Sequence, residues 1–140
     1  MALNPYLTFD GNCREAFEFY RSAFGGAFSI LSTYANAPAD LDVPEAERDR
    51  IMHVSLPVGA SVLMGSDCCS VTGPPPVVGN NFTIAIEGES RTHCDQVFAK
   101  LTDGGTVVTP LGEMFWGAYY GMWTDRFNIN WLINYTLPGG

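Results

Sequence analysis

Histidine and carboxylate side chains are the first candidates for chemistry in this chain, and few of them stand in suitable positions. Of the two histidines, His53 lies inside an apolar run and His93 lies at the start of a predicted helix. An imidazole titrates near neutral pH and can transfer a proton or orient a ligand, so His53 is the first catalytic candidate. The alternative is a structural histidine that is hydrogen-bonded within a sheet. Glu113 is a second catalytic candidate, although a lone loop acid is more often simply solvated.

Other kinds of catalytic motif are missing from the sequence. It contains no Gly-x-Ser-x-Gly elbow, no phosphate-binding loop and no glycine-rich loop of the kind that binds S-adenosylmethionine after a strand. Adjacent Cys68 and Cys69 suit neither a zinc knuckle nor an easy disulfide, and Cys13 has no context that would activate it as a nucleophile. We therefore expect Cys13, Cys68, Cys69 and Cys94 to be reduced thiols in a reducing compartment.

The elements that would hold these side chains occur in the same order twice. A strand over residues 5–9 precedes a helix that Asn12 begins, with Glu15 as its capping-box partner, and that Gly25 and Gly26 end. Further strands are expected over residues 27–34, 51–56 and 61–65. The second half repeats this order, with a helix capped by Ser90 and strands over residues 81–86, 106–109, 118–124 and 129–135. The repetition indicates two βαβββ modules.

The repeated order of elements divides the 140 residues into two modules and a linker. Module 1 is expected over about residues 1–66 and module 2 over about residues 81–137, with a Pro-rich linker over residues 67–80 and no core of its own. Within module 1, the acidic segment 35–49 is expected to be a solvated loop or a single helical turn rather than a substrate lid. The chain as a whole is expected to be one α+β domain.

Charge and hydropathy exclude several classes of partner. Seven Lys and Arg against fifteen Asp and Glu give a formal net charge of −8, and only 16% of the residues are charged. The basic residues are scattered and form no stripe that could neutralise phosphates, so nucleic acid and anionic membranes are poor partners. No segment approaches the ~20 apolar residues of a membrane span, and the N-terminus has no leader pattern, so we expect a cytoplasmic protein.

Alternation along the predicted strands assigns their two faces. In strand 51–56 the apolar side chains share one face, and His53 and Ser55 share the other. The last strand alternates in the same way, with Asn130 and Leu132 opposite its tryptophan. A sheet face that carries Asn, Thr, Ser, His and Met instead of Lys and Glu is more typical of a pocket than of a solvent-facing surface.

Sequence blocks along nearly the whole chain carry a family resemblance. The paired modules, with Phe17-Glu18-Phe19-Tyr20 in the first helix and Phe24-Gly25-Gly26 at its end, resemble the vicinal oxygen chelate superfamily of glyoxalase I, extradiol dioxygenases and bleomycin-resistance proteins. The closer resemblance is to its PhnB-like branch, through blocks at residues 5–20, 62–67, 104–107 and 115–127. It implies a cupped, eight-stranded mixed sheet with helices on the outer face, and commonly a homodimer. Asn128 stands where the family usually has Gly, and because Asn tolerates positive φ we expect the turn to survive.

The resemblance also implies four metal-ligand positions, which in the superfamily usually hold His or Glu. In this chain they correspond to Pro5, Met64, Asn81 and Leu132. Three of these residues cannot ligate a hard or borderline cation, and Asn81 offers a single neutral oxygen. A slip of one residue in register brings in no better ligands. We therefore expect no metal and no other cofactor.

The predicted function is the binding of a small molecule in the cup of the sheet. The side chains expected to line it are His53, Ser55, Met64, Ser66, Asn81, Thr83, Asn130 and Leu132, with Trp116 and Tyr120 nearby. Trp116 and Tyr120 are equally explained by core or dimer-interface packing. Two functions stay open: a protein that holds a small, partly apolar molecule without chemistry, and an enzyme of the lyase, isomerase or dioxygenase type. The enzyme would use His53 or a metal bound by non-standard residues.

Overall fold

The computed structural model describes residues 1–139, and the chain forms two compact units. The first unit spans Met1–Val77 and the second begins at Val78. Each unit has one α-helix after its first strand and then three further strands. The βαβββ order predicted for each half, and with it the α+β fold class, is confirmed.

The first unit is a four-stranded mixed sheet with one helix on it. Its elements are β1 (Tyr6–Phe9), α1 (Cys13–Phe24), β2 (Ile30–Thr33), β3 (Ile51–Val58) and β4 (Ser61–Asp67). The strand order is β1-β4-β3-β2, in which β1 and β4 are parallel and the other pairs are antiparallel. Helix α1 buries Ala16, Phe17 and Tyr20, and the strands bury Val54 and Leu56. Burial of these apolar side chains fixes the helix on one face of the sheet.

The second unit repeats this arrangement. Its elements are β5 (Ile84–Glu87), α2 (Arg91–Leu101), β6 (Thr106–Met114), β7 (Ala118–Thr124) and β8 (Asn130–Thr136). The strand order is β5-β8-β7-β6, with β5 and β8 parallel. Helix α2 buries Cys94, Val97 and Leu101, and the sheet buries Trp123 and Trp131. These three side chains form the packing face of α2.

The two helices begin differently, and one of the predicted caps is wrong. The Ser90 hydroxyl accepts a hydrogen bond from the backbone N–H of His93 at 3.0 Å, as expected for the cap of α2. Asn12 makes no side-chain cap on α1. Asp67 takes its place: one carboxylate oxygen accepts from the N–H groups of Gly11 and Cys13, at 2.8 and 3.0 Å. Asp67 is paired with the last residue of β1, so tertiary pairing brings a carboxylate to the helix start.

Several strand boundaries differ from the predicted ones. Strand β5 begins at Ile84 instead of residue 81, and this first residue is paired with Trp131 of β8. Strand β2 is shorter than predicted, and β6 continues to Met114. Asn128 adopts a φ of 68°, so the turn before β8 keeps its left-handed residue, as expected.

The segment between β2 and β3 has more regular secondary structure than the predicted loop. It contains three short 3-10 turns, Tyr34–Asn36, Ala39–Leu41 and Glu45–Glu47, where at most one helical turn was predicted. Tyr34 and Val43 are buried in a small apolar cluster with Cys69. Because Cys69 lies within residues 67–80, the start of the predicted linker packs into the first unit. No helix within residues 1–139 is long and apolar enough to cross a membrane.

Candidate functional site

The face of the first sheet opposite α1 brings together four of the predicted site residues. We call it the open face of the first unit and define it by Tyr6, Ile30, His53, Ser55, Met64 and Ser66. Met64 is paired with Tyr6 on one side and with Ser55 on the other, and Ile30 is paired with Ser55. Directly paired residues point to the same side of a sheet, so these side chains share one surface.

His53 is hydrogen-bonded through both of its ring nitrogens. Nδ1 lies 3.0 Å from the Tyr6 hydroxyl, and Nε2 lies 2.9 Å from the Ser55 hydroxyl. The Tyr6 ring also stacks on the imidazole, with ring centroids 5.6 Å apart and an angle of 25° between the planes. The three residues form a continuous chain of polar groups, which we call the Tyr6–His53–Ser55 chain.

Exposure changes along this chain from one end to the other. Ser55 is buried at 4% exposure, His53 is half-buried, and Tyr6 is 49% exposed. Ile30, which is paired with Ser55, is 50% exposed, and Met64 is half-buried. The open face therefore offers hydrogen-bonding groups next to accessible apolar surface, which is the composition of a small-molecule site.

In the second unit, Asn130 is already engaged by its own surroundings. Its amide oxygen accepts from the Thr124 hydroxyl at 2.8 Å, and its amide nitrogen donates to the Phe82 carbonyl at 3.3 Å. These bonds tie β7 and the segment before β5 to β8. Asn130 and Leu132 lie on the face opposite α2, as alternation predicts, but the contacts of Asn130 favour a structural role.

Asn81 and Thr83 lie outside the strand in which they were predicted. Both precede β5, so strand alternation does not assign them to a face. Asn81 is exposed and Thr83 is half-buried. The structure therefore adds no support for their predicted contact with a ligand.

Trp116 and Tyr120 belong to an aromatic group at the β6–β7 turn. Their ring centroids are 5.5 Å apart in an edge-to-face arrangement, and Phe115 packs edge-on against Trp116. Phe115 is 96% exposed and Trp116 is 51% exposed. These rings form an accessible aromatic surface at one end of the second sheet.

Glu113 is separated from Tyr120 by the sheet. It forms an ion pair with Arg91, the first residue of α2, and it is paired with Tyr119. Tyr119 donates a hydrogen bond to Asp95 of α2, so it points toward the helix. Tyr120 points to the opposite side, because successive side chains in a strand alternate. Glu113 thus lies on the helix side, and its predicted catalytic role gains no support from this position.

The donor groups do not fit a divalent metal at the four positions that the resemblance implies. The side chains of Pro5 and Leu132 have no donor atom, and the thioether of Met64 is a soft ligand that suits neither Mg²⁺ nor Ca²⁺. Within residues 1–139, no three His, Cys, Asp or Glu side chains are grouped so that they could hold a metal ion. The side chains at these four positions therefore do not form a divalent-metal site.

A further polar group joins the end of β1 to residue 68. The Arg50 guanidinium donates to the Asp10 carboxylate at 2.9 Å and to the Cys68 carbonyl at 3.0 Å. The Asp10 carboxylate also accepts from the Cys68 thiol at 3.2 Å. The hydrogen bond from Arg50 lowers the pKa of Asp10, and burial raises the pKa of the Cys68 thiol. A protonated thiol is a poor nucleophile, so Cys68 is not a catalytic candidate. The hydrogen bonds of this group hold the end of β1 against residue 68.

Tyr6 is the functional candidate that sequence reasoning missed. Alternation does place it opposite the buried Leu7 and Phe9. Alternation does not predict the order of the strands in the sheet. In the structure β4 lies between β1 and β3, and the long Tyr6 side chain extends across β4 to His53.

Comparison with known proteins supports the resemblance. The family model described as Glyoxalase/Bleomycin resistance protein/Dioxygenase superfamily matches residues 2–133. The protein YjdN of Escherichia coli strain K12 is 27% identical over 145 residues, which cover 96% of this chain and 95% of that protein.

Two solved structures match the chain in fold. Protein PA1353 from Pseudomonas aeruginosa is 36% identical and matches with a TM-score of 0.86 over 99% of each chain. The PhnB protein from Bacillus cereus is 20% identical and matches with a TM-score of 0.76 over 97% of this chain and 100% of that chain. At 20% identity the second likeness bears on the fold alone.

Proposed function

The chain belongs to the glyoxalase/bleomycin resistance protein/dioxygenase superfamily, and we propose that it binds a small, partly apolar molecule on the open face of its first unit without a divalent metal. The observation that carries this proposal is the Tyr6–His53–Ser55 chain, with its bonds of 3.0 and 2.9 Å, beside the accessible side chain of Ile30. A ligand on this face would bury apolar surface and meet one hydrogen-bonding end of the chain.

A metal-free enzyme is the second candidate, and His53 favours it. A ring that is hydrogen-bonded through both nitrogens can accept a proton at one and release a proton from the other. His53 would act as the proton-transfer group, with Tyr6 between it and the ligand. This proposal differs from the first only in whether the bound molecule is changed.

Two further predictions accompany the proposal. The homodimer implied by the resemblance and the cytoplasmic location stay predictions. The enzyme that uses a metal at non-standard residues gains no support, since the donor groups of the described residues form no such site.

A thermal-shift screen of metabolites and small antibiotics tests the binding function. A compound present at 100 times its dissociation constant stabilises the folded state by about 2.7 kcal/mol, which is readily measured as a rise in Tm. We expect stabilising compounds to lose most of their effect on His53→Ala. His93→Ala is the matched control, because His93 belongs to the second unit and accepts a hydrogen bond from the Glu89 N–H.

Two results would contradict the proposal. One is a screen in which no compound stabilises the wild-type protein. The other is a compound that stabilises wild type and His53→Ala equally, which would place its site elsewhere. Conversion of a bound compound by wild type and not by His53→Ala would favour the enzyme.

A further inference from the structure

The Tyr6–His53–Ser55 chain can be hydrogen-bonded in two directions. In one direction Tyr6 donates to Nδ1 and the Nε2–H donates to Ser55. In the other, Ser55 donates to Nε2 and the Nδ1–H donates to Tyr6. Both directions use the same heavy-atom distances, 3.0 Å and 2.9 Å, so the distances alone do not choose between them.

The burial of Ser55 chooses the direction. A buried hydroxyl hydrogen needs an acceptor, because an unpaired buried polar group is costly. Ser55 is only 4% exposed, and among residues 1–139 the acceptor that meets its hydroxyl is Nε2 of His53. Tyr6 is 49% exposed, so water can satisfy its hydroxyl in either direction. Every polar hydrogen of the Tyr6–His53–Ser55 chain therefore has an acceptor only when the Ser55 hydroxyl donates to Nε2 of His53.

We propose that Ser55 holds His53 in its Nδ1–H tautomer, so that the hydroxyl hydrogen of Tyr6 points outward as the donor of the open face. This inference rests on the proposed function and names its ligand class. The molecule bound here carries a hydrogen-bond acceptor, such as a ketone, aldehyde or carboxylate oxygen, joined to an apolar body. The acceptor meets Tyr6, and the apolar body lies against Ile30 and Met64.

Ser55 is a positioning residue in this scheme, and its effect is visible without any ligand. The ¹⁵N chemical shifts of the two ring nitrogens distinguish the tautomers of a neutral histidine, and we expect the Nδ1–H form in wild type. Tyr6→Phe keeps the ring stacking and removes only the outer hydroxyl, so we expect the tautomer to be unchanged. Ser55→Ala removes the donor to Nε2, so we expect the Nε2–H form to appear.

Ser32→Ala is the matched control for Ser55→Ala. Ser32 lies directly opposite His53 on β2, and the same chemical change there should leave the tautomer unchanged. A dispersed two-dimensional NMR spectrum shows that each variant is folded. The inference is overturned if wild type has the Nε2–H form, or if Tyr6→Phe changes the tautomer. Tyr6→Phe provides this test even if Ser55→Ala does not fold.

Two small aromatic probes test the ligand class. Acetophenone offers only an acceptor, and benzylammonium offers only donors on a ring of similar size. The net charge of −8 attracts the cation, so a preference for acetophenone would run against the overall charge. We expect acetophenone to bind more tightly, and its affinity to fall about 3- to 10-fold in Tyr6→Phe, as for the loss of one hydrogen bond.

The two levels of the proposal fail in different ways. If benzylammonium binds more tightly and loses affinity in Tyr6→Phe, the face binds small molecules but the ligand class is wrong. If neither probe binds wild type but the thermal-shift screen finds compounds whose stabilising effect depends on His53, the ligand class is wrong and the proposed function stands. If the screen also finds no such compound, the proposed function fails as well. In every case the ¹⁵N measurement decides independently whether Ser55 orients the chain.

Discussion

At the scale of single residues, the two most buried carboxylates accept hydrogen bonds from groups of the fold itself and have structural roles. Asp67, at 2% exposure, accepts hydrogen bonds from three backbone N–H groups, including that of Ile51 at 2.9 Å. Asp125, at 3% exposure, accepts from the Trp131 indole and from two N–H groups of the following turn. Neither can meet a ligand. Tyr6 and His53 differ because they keep exposed surface while remaining ordered.

Burial also decides against thiol chemistry. Desolvation raises the pKa of Cys13, Cys68 and Cys94, so these thiols stay protonated at neutral pH. All four cysteines are free. A protonated, buried thiol neither attacks an electrophile nor binds a metal readily.

Glu47 supports a pH prediction at the same scale. Its carboxylate accepts from the Ser70 hydroxyl at 2.6 Å and from the Ser70 N–H at 3.0 Å, and these bonds lower the pKa of Glu47 from its usual 4.5. A lowered pKa in the folded state contributes stability above the unfolded pKa, and this contribution is lost as pH falls through the folded pKa. Between about pH 5 and pH 3, the unfolding free energy of Glu47→Gln should therefore decline less steeply than that of wild type.

Denaturant titrations at several pH values measure this difference. Glu45→Gln is the control, because Glu45 is an exposed carboxylate in the same 3-10 turn. Equal pH slopes for wild type and Glu47→Gln would show that the contact with Ser70 does not stabilise the folded state.

At the scale of elements, a glycine sets how closely each helix lies on its sheet. A Cβ at Gly65 of β4 would lie 2.6 Å from Phe17 Cε1 and 2.9 Å from the Leu7 carbonyl oxygen. A Cβ at Gly121 of β7 would lie 3.0 Å from a ring carbon of Phe98. In both units an aromatic ring of the helix occupies the space above a glycine. The same contact between a helix ring and a strand glycine therefore occurs in both units.

Gly65→Ala should destabilise the protein by about 1–3 kcal/mol, the range for overpacking a core. The added methyl group meets a backbone oxygen as well as the Phe17 ring, so a side-chain rotation alone cannot relieve it. Urea unfolding measures the change. Gly112→Ala is the control in β6, because its Cβ would meet no atom within 4 Å, and its effect should stay within about 0.5 kcal/mol. Equal stability of the two variants would contradict the close approach.

At the scale of the whole molecule, the acidic side chains lie outside the open face of the first unit. Four acids lie between Asp40 and Glu47, in the segment of 3-10 turns that joins β2 to β3. The open face of the first unit carries no carboxylate. The net charge of −8 therefore does not specify the ligand of this face.

The donor groups of the chain predict its metal content. Protein purified without an affinity tag should contain far less than one equivalent of any divalent ion by elemental analysis, since the positions implied by the family hold Pro5, Met64, Asn81 and Leu132. Addition of Zn²⁺ or Mn²⁺ should leave Tm unchanged, because an ion that binds the folded state would raise it. A stoichiometric ion, or a rise in Tm that a chelator reverses, would overturn the metal-free proposal and favour the metal-dependent enzyme.

Local patterns in the sequence determined the repeated modules, the resemblance to the superfamily, the Ser90 cap and the turn at Asn128. These features depend on residues close together in the chain, where hydrophobic periodicity and turn chemistry act. The true cap of α1, the late start of β5 and the partners of His53 were decided only by the tertiary structure. Each depends on pairing between strands far apart in sequence, which brings Asp67 to α1 and Tyr6 to His53. Burial of Ser55 then gives the polar chain its direction, and burial exists only in the folded protein.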